Sequence, residues 1–391
     1  MKRNHTYILR EINGVPYILP IGQSIADHRH GIRLNKSGLF LWNTLSEVPD
    51  EESLLARFAK HYEATEEELP MLRQDVRSFL LQLSTLGILS PERPCVPDSF
   101  DAYFRIGGIL IGYHGPTKLL SSEFFDFSCE AQKPNFTIRI IPSPPAYHAV
   151  GEMLIRTDDI TICQNDDSYL FLYPNTNSVR ECHLSIDGSH ADFYCPRPFC
   201  EHITDELFHA IRFAYLVKAQ QKGMFTIHSA SLCHNGKAWL FSGPSGSGKS
   251  THTNLWQKLF GTSLLNGDLN LLGYENGAPV VYGLPWCGTS GIYTPQQYPL
   301  GGIIFLKKAA ENELHALAAE EAQLLCSGRM ISPAWTATQS IQNLDFAARL
   351  WHDVPLLSFH CTKEDSAAHT AREIIDRLTA GTNEVSPCTT R

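Results

Sequence analysis

Ala238-Trp239-Leu240-Phe241-Ser242-Gly243-Pro244-Ser245-Gly246-Ser247-Gly248-Lys249-Ser250-Thr251 couples an apolar run to the complete spacing G-x-x-x-x-G-K-[ST]. That spacing lets consecutive backbone N–H groups wrap a phosphate chain, while Lys249 reaches the terminal phosphates and Ser250 can hold Mg²⁺. Residues 238–241 read as a buried strand. Thr251 to Phe260 reads as a helix with Leu255, Trp256 and Leu259 on one face and Gly261 as its stop. The loop thus opens a helix, whose N-terminus favours anions. The spacing predicts a nucleotide-binding chain, with Gly243 to Thr251 as the nucleotide contacts.

The flanking residues locate two further groups. His228 to Cys233 and Ala238 to Phe241 surround Asn235-Gly236, a type I′ hairpin signal. Pairing outward from that turn sets Cys233 opposite Ala238 and His228 opposite Gly243, at the mouth of the loop. Downstream, Ser263-Leu264-Leu265-Asn266-Gly267-Asp268 is an apolar strand closing on a carboxylate, the pattern of a Mg²⁺-holding or base residue. A second turn at Asn276-Gly277 sets Asn270 near Gly283 and brings Asp268 towards Gly283-Leu284-Pro285-Trp286-Cys287-Gly288-Thr289. Cys287 has no assigned base, and phosphoryl transfer needs no protein nucleophile.

Composition narrows the class. The 391 residues exceed one average domain, and 43% hydrophobic with 19% charged residues suits an ordinary globular protein. A net charge of −9 opposes non-specific nucleic-acid binding. No apolar run approaches a membrane span and Met1 to His5 lacks a signal-peptide core, so the expectation is a cytoplasmic protein with no membrane partner. Eleven cysteines without framework spacing suit a reducing compartment. Cys182, His183, His190, Cys195, Cys200 and His202 cluster in sequence, yet their spacings match no familiar zinc site.

The predicted organisation is a multidomain α+β and α/β chain. Residues 1–90 carry a hairpin at Asn13-Gly14 and a short strand at 32–34 leading into Asn35, a cap for a helix carrying Leu39, Phe40, Trp42 and Leu45. A second helix runs from about 51 to 62, and a third carries Leu72, Val76, Phe79, Leu80 and Leu83 and is stopped by Gly87. This is a winged-helix-like module. Residues 91–100 form a Pro-rich linker. Residues 101–222 are β-rich, with strands at 104–111, 136–141 and 170–173, and close on a helix from about 205 to 221. No chemistry attaches to this stretch. Residues 223–380 form the nucleotide-binding core, and 381–391 a tail.

His228, the hairpin, the glycine-rich loop and Asp268, in that order, resemble the HPr kinase/phosphorylase family and its distant relative phosphoenolpyruvate carboxykinase. Gly283 to Gly288 and Gly302 to Leu306 resemble the HPr-kinase-like proteins of bacterial peptide-modification clusters. Leu34-Asn35-Lys36-Ser37-Gly38-Leu39-Phe40-Leu41-Trp42 resembles the PqqD family of leader-peptide recognition domains. The resemblance implies ATP-dependent phosphorylation of a Ser or Thr hydroxyl on a ribosomally made precursor peptide, its leader held by the N-terminal module. The precursor's other modifying enzymes would be further partners. It implies Lys249 on the transferring phosphate, Mg²⁺ at Ser250 and Asp268, and proton removal by Asp268 or His228. HPr kinases carry adjacent aspartates where this chain has Gly267-Asp268, so one carboxylate serves both metal and base or His228 is the base. A nucleotide-gated ATPase that delivers the peptide and a small-molecule kinase remain alternatives.

Overall fold

The computed structural model describes residues 2–381, apart from 4–5, 27–28, 49–50, 87, 91–96, 98, 143–151 and 166–167. Gly87, most of the predicted linker and the predicted tail beyond Gly381 lie outside the described residues. The chain forms two compact units. One comprises residues 1–99, 138–186 and 190–206. The other comprises 100–137, 187–189 and the chain from 207 onward.

In the first unit, Tyr7–Ile12 and Val15–Pro20 pair across Asn13-Gly14, both of which have positive φ as a type I′ turn requires. Ile32–Arg33 adds a third strand. Asn35 then caps the helix Lys36–Leu45, its side chain accepting from the Gly38 N–H at 2.7 Å. Helices Glu51–His61 and Leu69–Thr85 follow, and Leu41, Trp42, Leu54, Phe58 and Val76 share a core with Ile18 of the sheet. Thr65 and Glu68 close a separate turn, with Glu68 accepting from the Thr65 N–H at 2.8 Å, and the helix begins at Leu69. Pro70 therefore sits in the first helical turn, where a missing N–H costs nothing.

The rest of this unit is an antiparallel meander of Glu152–Arg156, Thr161–Gln164, Ser168–Leu172, Glu181–Ser185 and His190–Tyr194. Strand alternation separates the Cys/His cluster. Cys182 is fully buried on one face, while on the other His183 bonds Glu181 and His190 Nε2 lies 2.9 Å from Asp192 Oδ1. Arg139 grips Asp192 through two bonds of 2.8 and 3.0 Å. Among the described residues no group of three His, Cys, Asp or Glu is arranged to hold a metal ion.

The second unit corrects one predicted strand. Residues 104–111 are not continuous: Gly107-Gly108, both at positive φ, fold Ala102–Ile106 back on Ile109–His114. The apolar run hid a glycine turn. Helix Ile203–Gln221, largely in this unit, ends before Gly223.

Eight strands build the core. β1 (Phe225–His234) pairs antiparallel with β2 (Lys237–Ser242), and α1 (Lys249–Phe260) follows the glycine loop. β3 (Ser263–Asn266) and β4 (Leu269–Glu275) both pair with β1, one on each half of its length. β5 (Ala278–Tyr282) returns beside β4 through the Asn276-Gly277 turn. β6 (Tyr298–Lys308) pairs antiparallel with β5 and parallel with β2, so the pairings close on themselves. β7 (Glu313–Ala316), α2 (Ala319–Ser327), α3 (Ala337–Asp353), β8 (Leu356–Cys361) and α4 (Asp365–Gly381) complete it, with β8 parallel to β6. α3 opens on a full capping box between Thr336 and Gln339.

α1 is fixed to β2 by Trp256, fully buried with Phe241, Ile304 and Ile375. Removing such a side chain costs about 3–5 kcal/mol, so the helix that carries the loop is firmly seated. His252 stacks on Phe241 at 5.9 Å, and burial pushes its pKa down to about 4. It is a neutral packing residue.

Candidate functional site

The glycine loop is wound by Gly243, Gly246 and Gly248, with φ of +149°, +74° and +103°. A Cβ at Gly243 would lie 2.7 Å from Ser247 Oγ and 3.1 Å from the Leu306 carbonyl, so only glycine admits this turn. Lys249 folds back over the loop, donating to the carbonyls of Gly243 and Pro244 at 3.2 and 3.3 Å. Ser247 Oγ is buried with no hydrogen-bond partner, a polar atom lining the loop that a ligand oxygen would satisfy. Ser250 and Thr251 open α1 with exposed side chains.

The hairpin register places Cys233 opposite Ala238 and Ser229 opposite Ser242, which leaves His228 facing the first residue of the loop. The Ser242 hydroxyl also donates to the His228 carbonyl at 2.8 Å. Asp268 occupies a two-residue corner between β3 and β4, rather than a simple strand end. Asn266 shapes that corner: its Oδ1 accepts from the N–H groups of Asp268 and Leu269 at 2.9 and 3.0 Å, while its Nδ2 donates to the Trp286 carbonyl at 3.1 Å. The Asp268 carbonyl accepts from the Ser229 N–H at 3.0 Å, tying the corner to β1. As a result Asp268 Oδ1 meets His228 Nε2 at 3.2 Å, both side chains about one third exposed.

The electrostatics join these groups to Lys249. The His228 hydrogen bond, against burial, holds the Asp268 carboxyl below the usual carboxylate range, with Arg212 and Lys249 adding to the effect. Lys249 is lowered by burial, an effect opposed by Asp268 and reinforced by Arg329. Asp268 is therefore held as an anion by nearby cations, with about a third of its side chain exposed. Lys249, His228 and Asp268 come together from three segments.

The loop after β5 forms the other wall. Gly283 to Cys287 is buried, and Gly288, Thr289 and Ser290 emerge exposed. Gly288 packs directly on the carboxylate: a Cβ there would lie 2.9 Å from Asp268 Cγ, at φ +58°. Gly267 is equally tight, since a Cβ would lie 2.1 Å from Ser290 Oγ. The lone carboxylate thus has a steric cause, because Ser290 fills the space a second side chain would need. Cys287 is buried and its thiol pKa is pushed up by that burial. It is no thiolate nucleophile.

Two cations escaped the sequence reading. Arg329 follows α2, and its carbonyl accepts from the His228 N–H at 2.9 Å. Arg212 comes from helix Ile203–Gln221. Neither sits in a motif; only the fold brings them near Lys249 and Asp268. In the first unit, a separate cleft of about 510 Å³ is lined by Arg33, Leu34, Asn35, Gly38, Leu41 and Phe79. It adjoins Ile32–Arg33, the last strand of the small sheet.

Residues 25–89 match the family model for Coenzyme PQQ synthesis protein D (PqqD), so the N-terminus carries a PqqD-like domain. No curated protein matches the chain. Among solved structures, one similar chain is described as TbiB1 in complex with the TbiA(beta) leader peptide. It is 19% identical, covering 24% of this chain and all of that one, with a TM-score of 0.20. Another is the Hpr(Ser) kinase/phosphatase from Coxiella burnetii, 12% identical, covering 40% of this chain and 96% of that one, with a TM-score of 0.24.

Proposed function

We propose that this protein transfers the terminal phosphoryl group of ATP to a Ser or Thr hydroxyl of a ribosomally made peptide whose leader the N-terminal domain holds. The observation that carries the reading is the meeting of Asp268 with His228 at 3.2 Å, beside Lys249 on a complete phosphate loop. Lys249 would exchange its bonds to Gly243 and Pro244 for phosphate oxygens, and Ser247 Oγ would gain the partner it lacks. Mg²⁺ held by Ser250 and Asp268, with water completing its shell, would supply neutralising charge. Two protein ligands suffice for such an ion.

The acceptor hydroxyl loses its proton to Asp268 directly, or to His228 bonded to it. Its oxygen bonds to phosphorus as the bond to the β,γ-bridging oxygen breaks, and ADP departs with that oxygen. A carboxylate of lowered pKa is a weak base, which suits a loose transition state in which the proton leaves late. Positioning and charge carry most of such catalysis, and proton removal contributes about 10²–10⁴-fold.

The leader would add a strand beside Ile32–Arg33 and place side chains in the adjoining cleft. Tethering raises the local concentration of the core peptide to about millimolar, so a weakly held hydroxyl can still react. The test is Lys249→Ala with a precursor peptide, Mg²⁺ and ATP. Phosphorylation should disappear while leader affinity is kept; unchanged turnover, or ATP hydrolysis with no phosphate on the peptide in the wild type, defeats the reading.

A further inference from the structure

Phe208, Arg212 and Tyr215 share one face of helix Ile203–Gln221 by their spacing. Two of them hold Trp286. The Phe208 carbonyl accepts from Trp286 Nε1 at 2.9 Å, and the Tyr215 and Trp286 rings lie 5.0 Å apart. Arg212 lies between these anchors. Two residues beyond Trp286 the chain reaches Gly288, which packs on the Asp268 carboxylate. The half-buried Arg212 therefore lies on the helix face that seats Trp286, and with it the wall formed by residues 284–290.

Two further cations come from different elements, Arg329 after α2 and Arg212 on helix Ile203–Gln221. Arg329 is tied to β1, its carbonyl accepting from the His228 N–H at 2.9 Å, and its charge reinforces the lowering of Lys249. Arg212 stands on the helix face that anchors Trp286, two residues before the Gly288 that packs on Asp268, and its charge adds to holding that carboxyl low. Once a phosphoryl group has moved to the acceptor oxygen, its negative charge must leave the Lys249 side and settle near the Asp268 carboxylate. Two anions so close repel strongly unless a cation lies with them. A guanidinium, planar and weakly hydrated, binds a phosphate monoester through paired bonds.

We propose that Arg212 is the acceptor-side phosphate ligand, a second anion subsite that receives the phosphate monoester of the modified peptide while ADP still occupies the loop. The source of that phosphate rests on the kinase reading; the subsite does not. Arg212 touches the transferred group late, as the acceptor oxygen–phosphorus bond forms. It steadies the product and lowers the barrier to leaving the loop.

The test uses the full-length protein saturated with Mg²⁺ and ADP and titrated calorimetrically with O-phospho-L-serine. Wild type should bind it, Arg212→Lys should bind more weakly, and Arg212→Ala should lose on the order of tenfold or more in affinity, with ADP affinity unchanged in both. Should Arg212→Ala fail to fold, Arg212→Gln, which keeps the side-chain length, is read in its place. The proposal is overturned if wild type binds no phosphoserine, if the variant binds it as tightly, or if ADP affinity falls in parallel. A protein that binds phosphoserine through Arg212 yet modifies no peptide keeps the subsite and defeats the kinase reading. Full peptide phosphorylation by Arg212→Ala, with wild-type phosphoserine affinity, does the opposite.

Discussion

Replacing Gly267 by alanine tests why the site has one carboxylate. The added Cβ would stand 2.1 Å from Ser290 Oγ and 2.4 Å from Ser290 Cβ. Ordinary contact between such atoms is about 3.5–4 Å, so the overlap exceeds an ångström and a rotamer change at Ser290 cannot relieve the clash with its Cβ. Ser290 is also anchored: its Oγ donates to the Cys287 carbonyl at 2.6 Å and accepts from the Ile292 N–H at 3.1 Å. Overpacking of this kind costs about 1–3 kcal/mol. Ser290→Gly alone should cost about 1–2 kcal/mol through those two bonds. In the double variant the methyl enters the vacated space, so the two costs should fall short of their sum by about 1–2 kcal/mol. Thermal unfolding of the four proteins reads this directly, since a unit of this size shifts Tm by about 2–4 °C per kcal/mol. A Gly267→Ala protein that melts with the wild type, or strictly additive variants, would refute the steric account. By the same geometry Gly267→Asp cannot set a second carboxylate beside Asp268 unless Ser290 is removed with it.

Three further outcomes follow from the same contacts. Gly288→Ala strains a left-handed residue by about 1–2 kcal/mol and pushes the 288–290 loop from Asp268, so peptide phosphorylation should fall while ATP binding holds; equal loss of both would place the loop elsewhere. Burial raises the Asp376 carboxyl, but its 2.6 Å bond to His234 outweighs this and leaves the pKa lowered. Stability from such a carboxylate is present above the ordinary carboxylate pKa and lost as pH falls through the lowered one. His234→Ala should therefore flatten the acid side of the Tm-against-pH curve, and an unaltered curve would remove the tether. Protein lacking residues 1–90 should keep ATP binding and lose peptide affinity, as measured by titration of each; equal peptide affinity would disprove leader capture.

What the sequence made legible was local. Three Asn-Gly pairs fixed three hairpins, because both residues must take positive φ and few other pairs do so cheaply. That register, counted outward, brought His228 to the loop and Asn270 towards Gly283 before any coordinates. Helical periodicity found the three helices of the N-terminal module and the one after the glycine loop within a few residues, and Asn35 announced its cap. Gly107-Gly108 was missed because apolar neighbours on both sides mimic one strand. Arg212 and Arg329 were illegible for a different reason: long-range contacts of their segments bring them in, the helix of Arg212 on Trp286 and the Arg329 backbone on β1, which leaves no spacing to read. The absence of a second aspartate was visible at Gly267, but its cause, Ser290 more than twenty residues away, was not.

The most direct measurement is the intact mass of a precursor peptide after incubation with Mg²⁺, ATP and either wild-type protein or Asp268→Asn. The wild type should add one phosphate to a Ser or Thr. Asp268→Asn should bind ATP, melt as a folded protein and add phosphate at least about 10²-fold more slowly. Phosphate added at the wild-type rate by Asp268→Asn would contradict the account.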